Sequence, residues 1–240
     1  MQADFPFSLD KLGTPSPGKR GVVLLACGSF SPITNMHLRI FEDARTWFQI
    51  RDLGLEVVGG YLSPVTDAYK KKGLASATHR LEMCKRAVEN SDWINVDGWE
   101  AAQDEFQRTV VVLQYFDRKI NENRSEEDRL QVMLLCGSDL LASFNTPGVW
   151  ADEDLEVILG KYGVACIQRE GSDAMKSIVS SDILFRHLNN IHLVPTWIPN
   201  DVSSTRIRQM LNRGLSVKYF MPDRVIQYIQ ENNLYANPPA

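Results

Sequence analysis

The sequence predicts an α/β fold with a doubly wound parallel sheet and helices on both faces. Short apolar runs rich in Val, Ile and Leu alternate with amphipathic segments along the chain, as in a parallel sheet whose two faces are buried. The tripeptide Cys-Gly-Ser also closes two of those runs, at 27–29 and 136–138, and a helical pattern follows each. Two equivalent strand–turn–helix units fit the two halves of a Rossmann-like sheet in a single domain.

Hydrophobic periodicity then predicts each element in order. Val22 to Ala26 form an unbroken apolar run, typical of a buried strand, and Leu38, Phe41 and Phe48 recur at helical spacing after it. Further strands are predicted at 55–62, 93–96, 131–135, 163–168 and 191–194. Helices are predicted at 36–50, 76–90, from 101 onward, after 138, and at 152–160, 206–213 and around 225–229.

The helix from 101 is predicted because Phe106, Thr109, Val110 and Leu113 follow helical spacing. Aromatic residues in such a pattern belong to a core more often than to a binding site. The loop 63–74 contains three successive lysines, which often form only a solvated edge. Here they follow the carboxyl end of a parallel strand, where open α/β sheets bind ligands, so binding is favoured.

The bulk composition is that of a globular chain. Its 240 residues are 44% hydrophobic and 23% charged, with a formal net charge of −4. That charge argues against a general nucleic-acid binder, and no apolar run approaches the ~18 residues of a membrane span. Four cysteines without a C-x-x-C pair favour a reduced, intracellular protein, cytoplasmic or nuclear.

One domain is predicted over residues 21–236, since no stretch within it has the composition of a linker. Residues 1–20 are rich in glycine and proline and are expected to form a flexible lead-in. Residues 237–240 include two prolines and are expected to form a frayed tail.

The segment 21–39 carries the main binding signal. Here a strand leads through a glycine turn into a helix N-terminus. The free backbone N–H groups of this arrangement point at one position, which favours the binding of an anion there. His37, in the first turn of that helix, adds a donor for a phosphate oxygen. By itself His37 would more often be a packing residue, and Gly28 and Pro32 ordinary turn residues. Neither the G-x-G-x-x-G nor the P-loop pattern occurs here.

The other Cys-Gly-Ser, at 136–138, also ends an apolar strand and opens a helix. In the strand order 3-2-1-4-5 the first and fourth strands are neighbours, so Gly28 and Gly137 would line one crevice from its two sides. Asp139 beside it would bind ribose hydroxyls or cap its own helix.

Gly28, Phe30, Pro32, Thr34 and His37 match the pattern G-x-F-x-P-x-T-x-x-H, which resembles the signature of the nucleotidylyltransferase superfamily. Four blocks in order sharpen the resemblance to the eukaryotic nicotinamide/nicotinate mononucleotide adenylyltransferases: VVLLACGSFSPITNMHLR, SPVTDAYKKKGL, LLCGSDLLASF and VSSTRIRQML. The short connection 117–130, without a long basic insertion, resembles the plant-like form.

This resemblance implies transfer of AMP from ATP to nicotinamide mononucleotide, and to nicotinate mononucleotide, giving NAD or deamido-NAD and pyrophosphate. The implied catalytic residues are His37, Lys71 and Arg208. The implied ATP-binding residues are Gly28, Ser29, Phe30, His37, Gly137, Asp139, Thr205, Arg206, Ile207 and Arg208. The implied mononucleotide-binding residues are Ser29, Tyr69, Lys70, Lys71, Lys72, Trp99, Phe106, Thr109, Val149 and Trp150.

Mg²⁺ is the implied cofactor, held mainly through ATP phosphates, and we name no protein ligand for it. A homo-oligomer is compatible with the sequence. The chain departs from the family at Phe106, where many relatives have Trp, but Trp99 is expected to preserve stacking on the pyridine ring. No charge is apparent that would separate a carboxamide from a carboxylate.

Other functions fit less well. A nucleotide-binding module without catalysis would keep the glycines while losing His37, Lys71 or Arg208, and all three are present. Adenylyl- or cytidylyltransferases for pantetheine phosphate or FMN would share the first motif but not the lysine block. An NAD-dependent dehydrogenase is disfavoured because the first turn lacks its glycine triplet.

Overall fold

The computed structural model describes residues 6–169, 171 and 173–236. Six parallel strands form one sheet in the order β3-β2-β1-β4-β5-β6. They are β1 (Arg20–Gly28), β2 (Leu55–Pro64), β3 (Ile94–Val96), β4 (Gln131–Gly137), β5 (Val164–Ile167) and β6 (Ile191–Val194). The predicted doubly wound parallel sheet is confirmed, with β1 beside β4 at its centre.

Helices cover both faces of this sheet. They are α1 (Asn35–Arg51), α2 (Ala77–Ala87), α3 (Thr109–Asn121), α4 (Ser138–Ser143), α5 (Asp152–Val157), α6 (Ala174–Val179), α7 (Asp182–Arg186), α8 (Ser204–Asn212) and α9 (Asp223–Glu231). A π-helical segment, Ile158–Tyr162, continues α5. Within the described ranges, none of these helices combines the length and apolarity needed to cross a bilayer.

Alternation along the strands divides the core into two layers. Val23 of β1 points to one layer, where it joins Phe116 of α3. Leu24, the next residue, points to the other layer and joins Phe41 and Phe48 of α1. Strands buried on both faces explain the unbroken apolar runs of the sequence.

The helix predicted from residue 101 begins only at Thr109. A single 3₁₀ turn, Glu100–Ala102, comes first, and a loop joins it to α3. Thr66 donates a hydrogen bond to the carbonyl of Gln103 and holds this loop to the segment after β2. Phe106 is therefore an exposed loop residue and not a core residue. Helical spacing cannot reveal a tertiary hydrogen bond of this kind. The short helices α6 and α7 also carried too little periodicity to be predicted.

The expectation of a flexible lead-in is wrong for the part of it that packs on the sheet. Phe7 stacks on Tyr61 of β2 with ring centroids 5.2 Å apart. The Lys11 ammonium donates hydrogen bonds of 3.0 and 3.1 Å to the carbonyls of Val88 and Ile94. Apolar and cationic side chains between the glycines and prolines thus anchor the segment. The predicted tail, 237–240, lies outside the described residues.

Candidate active site

The carboxyl ends of β1 and β4 form the centre of the candidate site. Leu25 pairs with Leu134 in parallel register. Three residues further on, Gly28 and Gly137 therefore end their strands side by side, as predicted, and α1 and α4 begin nearby. This is the point where a doubly wound sheet leaves a crevice for a ligand.

The loop after β1 folds over its own glycine. Phe30 has a left-handed backbone with φ of 43°, and its buried ring lies against Gly28. A Cβ on Gly28 would lie 3.1 Å from the Phe30 Cζ atom, so this position favours glycine. Phe30 also meets the His37 ring edge-to-face at 5.4 Å between centroids. Phe30, predicted as an ATP-binding residue, thus shapes the loop with its side chain.

The two ring nitrogens of His37 have different roles. The backbone N–H of Thr34, the N-cap of α1, donates to Nδ1 of His37 at 3.0 Å. Nδ1 is therefore an acceptor, and the neutral ring carries its proton on Nε2. Burial, and secondarily the positive charge of Arg169, lower the pKa of His37 to about 4. The ring is neutral at pH 7 and offers Nε2–H as a hydrogen-bond donor.

Arg169 is a candidate site residue that the sequence analysis missed. It follows β5, its Nη1 donates to Asp139 Oδ2 at 3.3 Å, and its Nε would lie 3.8 Å from a Cβ on Gly137. Its charge also acts on His37, so it belongs to the same crevice. The available signal was a basic residue directly after a predicted strand, at the ligand-binding edge of the sheet.

The N-terminal turn of α8 joins this crevice from the opposite side. The Ser204 hydroxyl donates to the carbonyl of Pro32 at 2.9 Å. Arg208 donates to the carbonyl of Ser31 at 2.7 Å through Nη1 and to the Thr205 hydroxyl at 3.3 Å through Nη2. The structure thus brings Thr205 and Arg208 to the first loop, on one face of the helix.

The two residues between them point elsewhere. Arg206 pairs with Asp201, with 3.5 Å between Nη1 and Oδ2, and Ile207 is buried in the core. The predicted ATP contacts of these two side chains are therefore not supported by their positions. Residues one and two apart on a helix do not share a face, which accounts for the difference.

A second residue that the sequence analysis missed is Arg80 of α2, whose side chain is fully buried. It donates to the carbonyls of Ser29 at 3.1 Å, Val65 at 2.7 Å and Ala75 at 2.9 Å, and it also contacts Asp67 at 3.1 Å. The guanidinium therefore fixes the glycine loop to the segment that carries the lysines.

A cavity of about 520 Å³ opens beside Gly28. Its lining includes seven of the predicted mononucleotide-binding residues, namely Ser29, Tyr69, Lys71, Phe106, Thr109, Val149 and Trp150. The rings of Tyr69 and Phe106 stack at 5.7 Å between centroids. The Trp150 indole is oriented by a hydrogen bond from Nε1 to the Ser143 hydroxyl, 3.1 Å long. The cavity therefore combines aromatic faces with one lysine.

Three other predicted residues do not line this cavity. Trp99 stacks on Tyr115 of α3, with 4.2 Å between the centroids of nearly parallel rings, and its stacking on the pyridine stays a prediction. Of the three lysines only Lys71 lines the cavity, while Lys70 and Lys72 are exposed beside it. The local sequence could not show which lysine of the run faces inward.

The cavity also contains charged residues that were not predicted. Glu100 lines it, is only 3% exposed, and accepts a hydrogen bond from Ser63. Burial raises the pKa of Glu100 to about 7. Arg108 and Asp154 line the cavity as a further pair.

Metal-binding groups do not dominate this site. Across the part of the chain that the structure describes, no group of three or more His, Cys, Asp or Glu side chains is placed to hold a metal ion. The crevice instead brings together cationic side chains and helix N-termini, a donor set suited to phosphate oxygens.

Comparison with known proteins defines the class first. Residues 25–210 match the Cytidylyltransferase-like family, so the chain belongs to this class of nucleotidyltransferases. A solved structure from Vibrio parahaemolyticus shares this fold. Its TM-score is 0.50 at 12% identity, over 90% of this chain and 95% of that one.

Curated relatives then define the particular family. A nicotinamide/nicotinic acid mononucleotide adenylyltransferase of Arabidopsis thaliana is 51% identical over 97% of this chain and 98% of its own. The Oryza sativa protein of the same name is 48% identical over 98% and 95%. The Bos taurus enzyme 1 is 45% identical over 91% and 90%. The chain belongs to the family of nicotinamide/nicotinic acid mononucleotide adenylyltransferases.

Proposed function

We propose that this protein transfers AMP from ATP to nicotinamide mononucleotide and to nicotinate mononucleotide, forming NAD or deamido-NAD and pyrophosphate. Membership of the adenylyltransferase family supports this function. The structural observation that carries it is the cavity of aromatic residues and Lys71, which opens directly beside the Gly28 turn. One substrate can occupy the cavity while the other occupies the crevice between the two turns.

The reaction needs no protein nucleophile. A 5′-phosphate oxygen of the mononucleotide attacks the α-phosphorus of ATP, a new P–O bond forms, and the bond to the β-phosphate oxygen breaks as pyrophosphate leaves. The protein therefore has to position two polyanions and neutralise their charge. Positioning can supply ~7–11 kcal/mol, and each preorganised donor ~2.7–4 kcal/mol.

Three side chains have assigned tasks in this proposal. His37 donates from Nε2 to an ATP phosphate oxygen, because Nδ1 is occupied by the Thr34 N–H. Arg208 holds ATP phosphates from the α8 side, where Ser31 and Thr205 fix its guanidinium. Lys71 neutralises the mononucleotide phosphate from the cavity wall.

Asp139 and Gly137 are assigned to the adenosine ribose, and Arg169 to the phosphates beside them. Asp139 is exposed and is tied to Arg169 at 3.3 Å, so ligand binding would exchange this ion pair for ligand contacts. When Mg²⁺ is bound, it shields the phosphate charge and is held mainly by phosphate and water oxygens.

The function is tested by incubating the purified protein with ATP, Mg²⁺ and each mononucleotide in turn, and by following pyrophosphate and the dinucleotide product. Both mononucleotides should be used, with kcat/KM values within about tenfold, or ~1.4 kcal/mol. Nucleotide binding without pyrophosphate release would indicate a binding module and would contradict the proposal. A preference of several hundredfold would contradict dual use.

A further inference from the structure

An ion pair forms part of the wall of the aromatic cavity. Nη1 of Arg108 lies 2.8 Å from Oδ1 and 2.9 Å from Oδ2 of Asp154. Arg108 is the N-cap of α3, and Asp154 lies in the first turn of α5. The Asp154 side chain is only 14% exposed, whereas the Arg108 side chain is 63% exposed. The carboxylate is thus fixed in the wall, and the guanidinium lies over it from the solvent side.

This pair lies beside the aromatic faces of the cavity. Arg108 follows Phe106 by two residues, and Asp154 follows Trp150 by four. All four side chains line the same cavity. A pyridine ring held by the aromatic residues therefore has a cation and an anion within the same pocket.

The two mononucleotides differ only in the substituent of that ring. A carboxylate carries a negative charge and only accepts hydrogen bonds, whereas a carboxamide is neutral and has two N–H donors and one acceptor. A guanidinium suits the carboxylate, and an aspartate suits the carboxamide N–H. The Arg108–Asp154 pair presents both.

We propose that Arg108 and Asp154 set the balance between the acid and the amide mononucleotide, with Arg108 as the group that binds the nicotinate carboxylate. This inference rests on the proposed function. Asp154 weakens the preference for the acid, because it neutralises Arg108 and its own carboxylate repels the nicotinate carboxylate. Neither substrate is excluded while both residues are present.

The size of the effect follows from the exposure of Arg108. Solvent screens a charge that is more than half exposed, so the pair should change the preference severalfold and not several hundredfold. We expect about a fivefold change on removal of either charge, equivalent to ~1 kcal/mol.

The test measures kcat/KM of the full chain for both mononucleotides in three variants. Arg108→Gln should lower the acid-to-amide ratio about fivefold, and Asp154→Asn should raise it by a similar factor. The control is Arg186→Gln, because Arg186 is also 63% exposed and is also paired with a carboxylate of α5, that of Glu156. It should leave the ratio unchanged.

A charge-preserving variant separates charge from folding. Arg108→Lys should keep a ratio near that of the wild type, and thermal melts should show that each variant is folded. The inference would be overturned if the acid-to-amide ratio of kcat/KM changed less than twofold in both Arg108→Gln and Asp154→Asn. It would also be overturned if Arg186→Gln changed this ratio as much as Arg108→Gln does. A wild-type protein inactive with both mononucleotides would instead refute the proposed function.

Discussion

Glu100 gives a prediction whose size follows from the structure. Its side chain is 3% exposed and accepts a hydrogen bond from Ser63. Burial is the main cause that raises the pKa of Glu100, from an ordinary 4.5 to about 7, and the neighbouring Asp97 carboxylate adds to it. Ionisation of Glu100 in the folded protein is therefore unfavourable.

This pKa shift links stability to pH. Between pH 4.5 and 7 the folded state holds a proton that the unfolded state has lost, so stability falls as pH rises through this window. Each unit of pKa shift is equivalent to ~1.4 kcal/mol, which makes the loss between pH 5 and pH 8 about 2–3 kcal/mol. A Gln at this position cannot ionise and can still accept the hydrogen bond from Ser63.

Glu100→Gln should therefore stabilise the protein relative to the wild type by about 2–3 kcal/mol more at pH 8 than at pH 5. Urea denaturation without nucleotide, followed by circular dichroism, measures the free energy of unfolding at each pH. Glu105→Gln is the control, since Glu105 is exposed on the same connection, and its effect should be small at both values. An equal effect of Glu100→Gln at the two pH values would refute the reasoning.

Three further substitutions, one of them with a matched control, test the crevice. His37→Ala should lower kcat by on the order of a hundredfold, measured by steady-state kinetics. It should lower Tm by only ~2–4 °C in a thermal melt, because the contact with Thr34 is a helix cap worth ~1 kcal/mol. A large loss of stability would instead show that His37 is a packing residue. Arg208→Lys should weaken ATP use by ~1.5–3 kcal/mol and leave mononucleotide affinity nearly intact. Its control, Arg206→Lys, should change neither. An equal effect of Arg206→Lys on ATP use would show that the face of the helix is misassigned. Arg80→Met should lower the free energy of unfolding by ~3 kcal/mol or more, because each buried carbonyl left without its donor costs ~1–3 kcal/mol. A midpoint of urea denaturation within error of the wild type would contradict the structural role of the Arg80 guanidinium.

Local patterns predicted most of the fold and part of the site. The unbroken apolar runs predicted the central strands, because strands buried on both faces need apolar residues at every position. The two Cys-Gly-Ser turns predicted the position of the crevice, because the strand, turn and helix that form each side of it are consecutive in sequence. Thr205 and Arg208 were placed on one face because a three-residue spacing fixes the face of a helix.

The rest depended on contacts between distant segments. Arg80 binds carbonyls 5, 15 and 51 residues away, and no local pattern distinguishes it from an exposed helical arginine. Trp99 was expected at the mononucleotide from the family resemblance, and no local pattern could show that its ring also stacks on Tyr115. Arg108 and Asp154 are 46 residues apart, so their pairing across the cavity needs the folded chain.

The net charge of −4 raises the question of how the site attracts two polyanions. The contrast between two arginines of α8 answers it. Arg206 is paired with the Asp201 carboxylate, with 3.5 Å between Nη1 and Oδ2. The hydrogen bonds described for Arg208 go instead to neutral oxygens, the Ser31 carbonyl and the Thr205 hydroxyl. These acceptors orient the guanidinium without neutralising it, and the adjacent helix N-terminus adds to the positive potential. An acidic chain can therefore hold phosphate groups at an arginine such as Arg208, whose described hydrogen bonds go to neutral oxygens.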